Sequence, residues 1–176
     1  ETMDGETYCQ KCALSQFRTP SEKQAARDLD RKKKAEAAFR GMATERKVIR
    51  SLTACRQDIG LSLVKVPTPA HYQAKSIADF VGYSYGGGFV AMEVKSTVAN
   101  RWSIVVMPDH QVAYLDDVAR CTERHEIAGG GAWVLVDFRK AGRWYWLPWP
   151  LLRANRIVHP GDDWAAHYEA HPLAWW

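Results

Sequence analysis

The chain has 176 residues, enough for one domain with a genuine core, and 47% of them are apolar, which excludes global disorder. No apolar run approaches the roughly 20 residues that span a bilayer. No basic segment followed by an apolar stretch marks a secretory leader, so a cytoplasmic protein with no membrane partner is expected. The net charge is only +4, but residues 18–50 hold eleven Lys or Arg against five Asp or Glu, while the sequence after Arg50 is balanced.

Residues 1–20 are polar and are expected to form a flexible extension. Cys9 and Cys12 have metal-ligand or redox spacing, yet no second pair follows to complete four ligands. Reduced thiols and half of a zinc site are the two readings. With only Cys55 and Cys121 besides, a disulfide scaffold is excluded. Ser21-Glu22-Lys23-Gln24 is a capping box that opens a Lys/Arg/Ala-rich helix to Phe39. This helix includes Arg31-Lys32-Lys33-Lys34. Its apolar residues are mostly alanine, so it buries little. Its charge suits a phosphate backbone, a solvated helix face or a nuclear-address-like run. Gly41 is expected to break the pattern. A second helix over 42–57 places Val48, Ile49, Leu52 and Cys55 on a core face, and Gly60 ends it.

Residues 61–66 alternate as a strand that stops at Pro67-Thr68-Pro69. Two apolar runs, near 79–83 and 89–96, flank the turn signal Tyr83-Ser84-Tyr85-Gly86-Gly87-Gly88 and should pair antiparallel. A turn centred on Gly86 sets Tyr83 against Phe89, Val81 against Ala91 and Asp79 against Glu93. The two-residue side-chain period then puts Asp79, Glu93 and Lys95 on one face. Opposed carboxylates about 5 Å apart repel unless positive charge lies between them. A divalent cation such as Mg²⁺, which takes a few carboxylates plus phosphate and water oxygens, suits that place. The alternative is a solvated Glu-x-Lys surface pair of little energetic worth.

Asp109 can cap a helix through about Ala119, with Val112 and Leu115 inward. Residues 132–138 are near-continuously apolar, as in a buried central strand. A short strand over 144–147 pairs with it, a brief helix covers 150–155, and the tail past Pro160 is irregular. The order predicts an α/β fold: a mixed central sheet flanked by helices, with a basic N-terminal helix. Six of the eight tryptophans lie between Trp144 and Trp176. Most are expected in the core, with one or two exposed for stacking on bases.

Six blocks occur in the order found in RecU-type Holliday junction resolvases. They are Arg40-Gly41-Met42 with Glu45, Lys65-Val66-Pro67-Thr68-Pro69, Ala78-Asp79-Phe80-Val81-Gly82, Glu93-Val94-Lys95-Ser96-Thr97, His110-Gln111 and Gly130-Gly131-Ala132-Trp133. Over about Arg40 to Asn155 the chain thus resembles that family, part of the restriction-endonuclease-like superfamily with its Asp…Glu-x-Lys signature. The resemblance implies a restriction-endonuclease-like core in residues 41–176, preceded by an extension and basic helix in 1–40. It implies Mg²⁺, with Mn²⁺ able to substitute, held by Asp79, Glu93 and the Val94 carbonyl. Lys95 would activate the attacking water, Glu45 would be the helix-borne carboxylate, and Gln111 would line the site. Arg40, Lys65, Lys75 and Thr97 would contact DNA, and the charge asymmetry gives Lys32, Lys33 and Lys34 the same role. Glu45 paired with a neighbouring cation, and His110 and Gln111 in helix N-terminal hydrogen bonds, are the plainer readings.

The activity implied is metal-dependent cleavage of four-way DNA junctions in recombination and repair by a homodimer, in a bacterial cytoplasm or encoded by a phage. One departure stands out. Only nine residues separate Pro69 from Asp79, where the family carries a long insertion that enters the junction centre. A nuclease of the same superfamily acting on other branched or linear DNA, and a DNA-binding module without catalysis, are therefore the alternatives.

Overall fold

The structure, a computed structural model, describes residues 19–54, 61–67, 76–84, 86–124 and 130–170. The chain divides into two compact units, Glu1–Phe39 and Arg40–Trp176. Among the described residues no helix is long and apolar enough to cross a membrane. Cys9, Cys12 and Cys55 lie outside the described residues, and Cys121 is a free, exposed thiol.

In the first unit the described residues open helix α1 (Pro20–Ala54). The capping box lies two residues earlier than expected. Thr19 Oγ1 accepts the Glu22 N–H at 3.3 Å and the Glu22 carboxylate accepts the Thr19 N–H at 2.8 Å. Pro20, whose fixed φ suits a first helical position, follows the cap. As far as Phe39 the side chains are almost all exposed, as expected where alanine supplies the apolar content. The expected break at Gly41 is absent, since α1 is one helix of 35 residues. A single helical glycine costs only about 1 kcal/mol, and good helix formers on both sides outweigh it.

In the second unit, Thr44, Val48, Ser51 and Leu52 of α1 are buried, a stripe at helical spacing. Ile49, expected inward, is exposed, because it lies about 100° round the helix from Val48. Strands β1 (Leu61–Lys65), β2 (Phe80–Ser84) and β3 (Phe89–Thr97) follow, then β4 (Trp102–Ser103), a 3₁₀ turn (Ile104–Val106) and helix α2 (Asp109–Arg124). The chain continues through β5 (Gly131–Phe138), β6 (Arg143–Pro148), α3 (Trp149–Asn155), β7 (Ile157–Val158), α4 (Asp163–Ala166) and β8 (Glu169–Ala170). The main sheet runs β1-β2-β3-β5-β6-β8, and β4 pairs with β7 separately. This is the expected mixed α/β architecture, with more strands than expected. The tail past Pro160, read as irregular, supplies α4 and β8.

The β2–β3 hairpin has the register its turn predicts: Val81 opposes Ala91 and Tyr83 opposes Phe89. Gly87 at φ 77° takes the left-handed position that glycine accepts without strain. Its N–H reaches the Ser84 carbonyl at 2.9 Å. β3 pairs parallel with β5, which requires a crossover between them, and α2 provides it. β5 is the buried central strand expected.

Strand alternation sends core residues to two sides. Ala91, Val134 and Val136 pack with Leu115 of α2 and Leu152 of α3. Phe80, Met92, Val94 and Leu135 pack under Val48 and Leu52 of α1. Val112 is half-buried against the first of these clusters. Trp102, Trp144 and Trp149 are buried, as expected of most tryptophans, while Trp175 and Trp176 lie outside the described residues.

Candidate active site

Asp79 immediately precedes β2, and Glu93 and Lys95 lie on β3. One step along the hairpin register from Phe80–Met92, Asp79 stands opposite Glu93. It also bridges the strands, since its Oδ2 accepts the Val94 N–H at 2.8 Å. Its own carbonyl accepts the Val66 N–H from the residue following β1. Asp79 is therefore held by backbone on both sides, its carboxylate by β3 and its carbonyl by the residue after β1.

Glu93 is 1% exposed. Its Oε1 receives the Lys95 ammonium at 2.6 Å, and its Oε2 is buried without a hydrogen-bond partner among the described residues. Burial raises the Glu93 carboxyl to a pKa of about 7; the Lys95 charge opposes that shift, and repulsion from Asp79 adds to it. A buried carboxylate with one unmatched oxygen costs free energy, and a cation beside it would remove that cost. Lys95 is held from a second element as well, donating to Gln111 Oε1 at 3.0 Å. Gln111 is buried in the first turn of α2, so the crossover helix and the hairpin converge on one ammonium.

The other residues singled out in the sequence are placed differently. Glu45 on α1 forms an ion pair with Lys65, whose Nζ stands 5.9 Å from the Phe80 ring centroid. Phe80 packs under α1, so this pair lies across the sheet from Glu93 and Lys95. Among the described residues no three His, Cys, Asp or Glu side chains gather as a metal-binding group, and Glu45 is not brought to Asp79 and Glu93. Thr97 Oγ1 accepts the Ala99 N–H at 3.0 Å, fixing the bend after β3. Arg40 is half-buried on α1, and His110 is half-buried beside Gln111. Lys32, Lys33 and Lys34 are exposed on α1, with Lys34 bonded to Asp30 at 2.8 Å. Lys75 lies outside the described residues.

Two features had no counterpart in the sequence reading. Asp137, 3% exposed within the apolar run of β5, accepts Thr44 Oγ1 of α1 at 2.9 Å and Ser96 Oγ of β3 at 3.5 Å. A lone acid in such a run was the visible signal. A groove of about 590 Å³ also adjoins Lys95, reaching Thr97, Arg101, Ser103 and Val106. Its walls come from separated segments that share no motif.

No curated protein matches the chain. Among solved structures it is similar to Hjc of Archaeoglobus fulgidus, a Holliday junction resolvase from an archaeal hyperthermophile. The identity is 19% and the TM-score 0.49, over 77% of this chain and 100% of that one. The family model described as Recombination protein U, RecU, matches residues 32–158, well over half of the chain. That stretch takes in the hairpin, the crossover helix and the strand they pack on, and the chain accordingly belongs to the RecU family of Holliday junction resolvases.

Proposed function

We propose that the chain hydrolyses phosphodiester bonds at four-way DNA junctions with Mg²⁺, for which Mn²⁺ substitutes, held by Asp79, Glu93 and the Val94 carbonyl. The observation that carries this reading is Glu93: sealed from water, opposite a second carboxylate, with one oxygen on Lys95 and the other unmatched. The chemistry a divalent cation supplies at such a place is neutralisation of charge on phosphate oxygens and a lower pKa for water.

The remaining work falls to side chains. Lys95, fixed by Glu93 and Gln111, presents positive charge where negative charge develops on the phosphate, and needs no reorganisation to do so. Gln111 acts through Lys95 as a positioning residue. Glu45 acts through Lys65, keeping that ammonium turned toward a phosphate of the bound strand. Arg40, Lys75, Thr97 and the Lys32–Lys34 run supply further backbone contacts, which position DNA without reading its sequence. Two symmetric cuts across a junction require two sites, so the active species is a two-fold homodimer, to be checked by light scattering.

The test is cleavage of a synthetic four-way junction. With Mg²⁺ or Mn²⁺ the wild type is expected to cut it, while Asp79→Asn binds it without cutting. The short segment between Pro69 and Asp79 favours a second reading, a nuclease without junction selectivity. Equal cutting of a linear duplex built from the same arms would establish that alternative. No cutting of any DNA with either metal would leave a binding module.

A further inference from the structure

The groove beside Lys95 has a mixed lining. Lys95 and Arg101 provide two cations and Thr97 and Ser103 provide hydroxyls, while Val106 and Ile157 are apolar. No carboxylate lines it among the described residues. Arg101 is exposed and forms no hydrogen bond or ion pair with a described residue. At about 590 Å³ the groove falls within the size range of ligand sites.

The turn that carries Val106 is built to stay where it is. In the turn from Ile104 to Met107, the two end residues are 4% and 5% exposed and anchor it in the core. Ser103 Oγ accepts the Val105 N–H at 3.3 Å and donates to the Arg156 carbonyl at 3.1 Å. The Ile104 N–H reaches the same carbonyl at 3.1 Å. Between the anchors, Val105 and Val106 are 72% and 69% exposed. Two adjacent valines held outward by a pinned turn, one of them lining the groove, mark a contact surface.

We propose that this groove takes the nucleotide next to the cut, Arg101 contacting the adjoining phosphate, while Val105 and Val106 wedge against a base unstacked at the crossover. A nucleic-acid strand offers both phosphate charge and base faces, which suits a groove whose lining combines Lys95 and Arg101 with the apolar Val106 and Ile157. Apolar side chains that enter between base steps unstack them, and a four-way junction, whose stacking is already interrupted, resists this least. An apolar protein partner would leave Arg101 facing no opposite charge. The inference rests on the junction-cutting reading above.

The test uses the full-length protein and a four-way junction with 2-aminopurine at the crossover, in EDTA for binding and in Mg²⁺ for cleavage. Wild-type binding is expected to raise the 2-aminopurine fluorescence. The double variant V105S/V106S should lose most of that rise and bind the junction about tenfold more weakly, as the removal of two apolar side chains from the interface implies. V105I/V106I should retain both. R101Q should weaken binding and lower the slope of log affinity against log salt by about one. Wild-type cutting with V105S/V106S unchanged in fluorescence and affinity would overturn this inference alone. A wild-type protein that cuts no junction would overturn the functional reading and this inference with it.

Discussion

Lys95 owes its position to acceptors on two elements, Glu93 two residues before it and Gln111 on the crossover helix. Misplacing such a group by about 1 Å can cost on the order of a hundredfold in rate. Gln111→Leu is therefore expected to slow single-turnover cleavage by about tenfold to a hundredfold with junction affinity unchanged; an equal loss of affinity would show that Gln111 serves binding. Asp137 offers a test in pH. Burial lifts its carboxyl above the ordinary 3.8, against hydrogen bonds from Thr44 and Ser96 and the charges of Lys47 and Arg139. The folded chain then holds this proton more tightly than the unfolded chain. The contribution favours folding below 3.8 and is lost as pH rises through the folded-state value. Asp137→Asn should thus gain stability relative to wild type as pH rises above the ordinary 3.8 in urea titrations. A difference that does not change with pH would contradict this. The sequence disclosed Asp79, Glu93 and Lys95 because a tight turn and a two-residue period fix which strand residues meet. It could not disclose the Asp137 network, whose closest partner, Thr44, lies 93 positions away.

Among the elements, the β1–β2 pairing is the least forgiving. Gly82 opposes Leu63, and a Cβ there would overlap the Ser62 carbonyl oxygen. That oxygen belongs to backbone, so β1 itself would have to move. Gly82→Ala is expected to cost about 3 kcal/mol or more in chemical denaturation; near-wild-type stability would mean that β1 shifts freely. The glycine was plain in the sequence, but its reason depends on a strand some twenty positions earlier. The elements with persistent periodicity, α1, α2, β3 and β5, were legible. The two-residue strands β4, β7 and β8 were not, because so short a run has no period to read. Helix α1 was misjudged most at Gly41, where the sum of its neighbours' propensities exceeded the penalty; its cap and the facing of Ile49 were also misread.

For the whole molecule the decisive quantity is where the charge lies. All of the net positive excess falls within residues 18–50, and Lys32 and Lys33 are fully available on an exposed helix while Lys34 is engaged by Asp30. If this run tracks phosphates, the K32Q/K33Q variant should lower the salt slope of junction binding by about 1.8, at roughly 0.9 for each phosphate no longer neutralised. An unchanged slope would reduce the run to a solvated face. The family was legible for a related reason. Its blocks sit on the hairpin and its flanks, where backbone geometry and chemistry both restrict the choice of residue, and the matched stretch, 32–158, spans the same region.

Glu93 brings a further consequence. A side chain so enclosed, with an oxygen that no described residue answers, would serve the proposed reaction at the expense of the scaffold. In copies of this chain released from any demand to cut DNA, position 93 is where drift has most to gain, towards smaller or oily residues that leave no atom wanting.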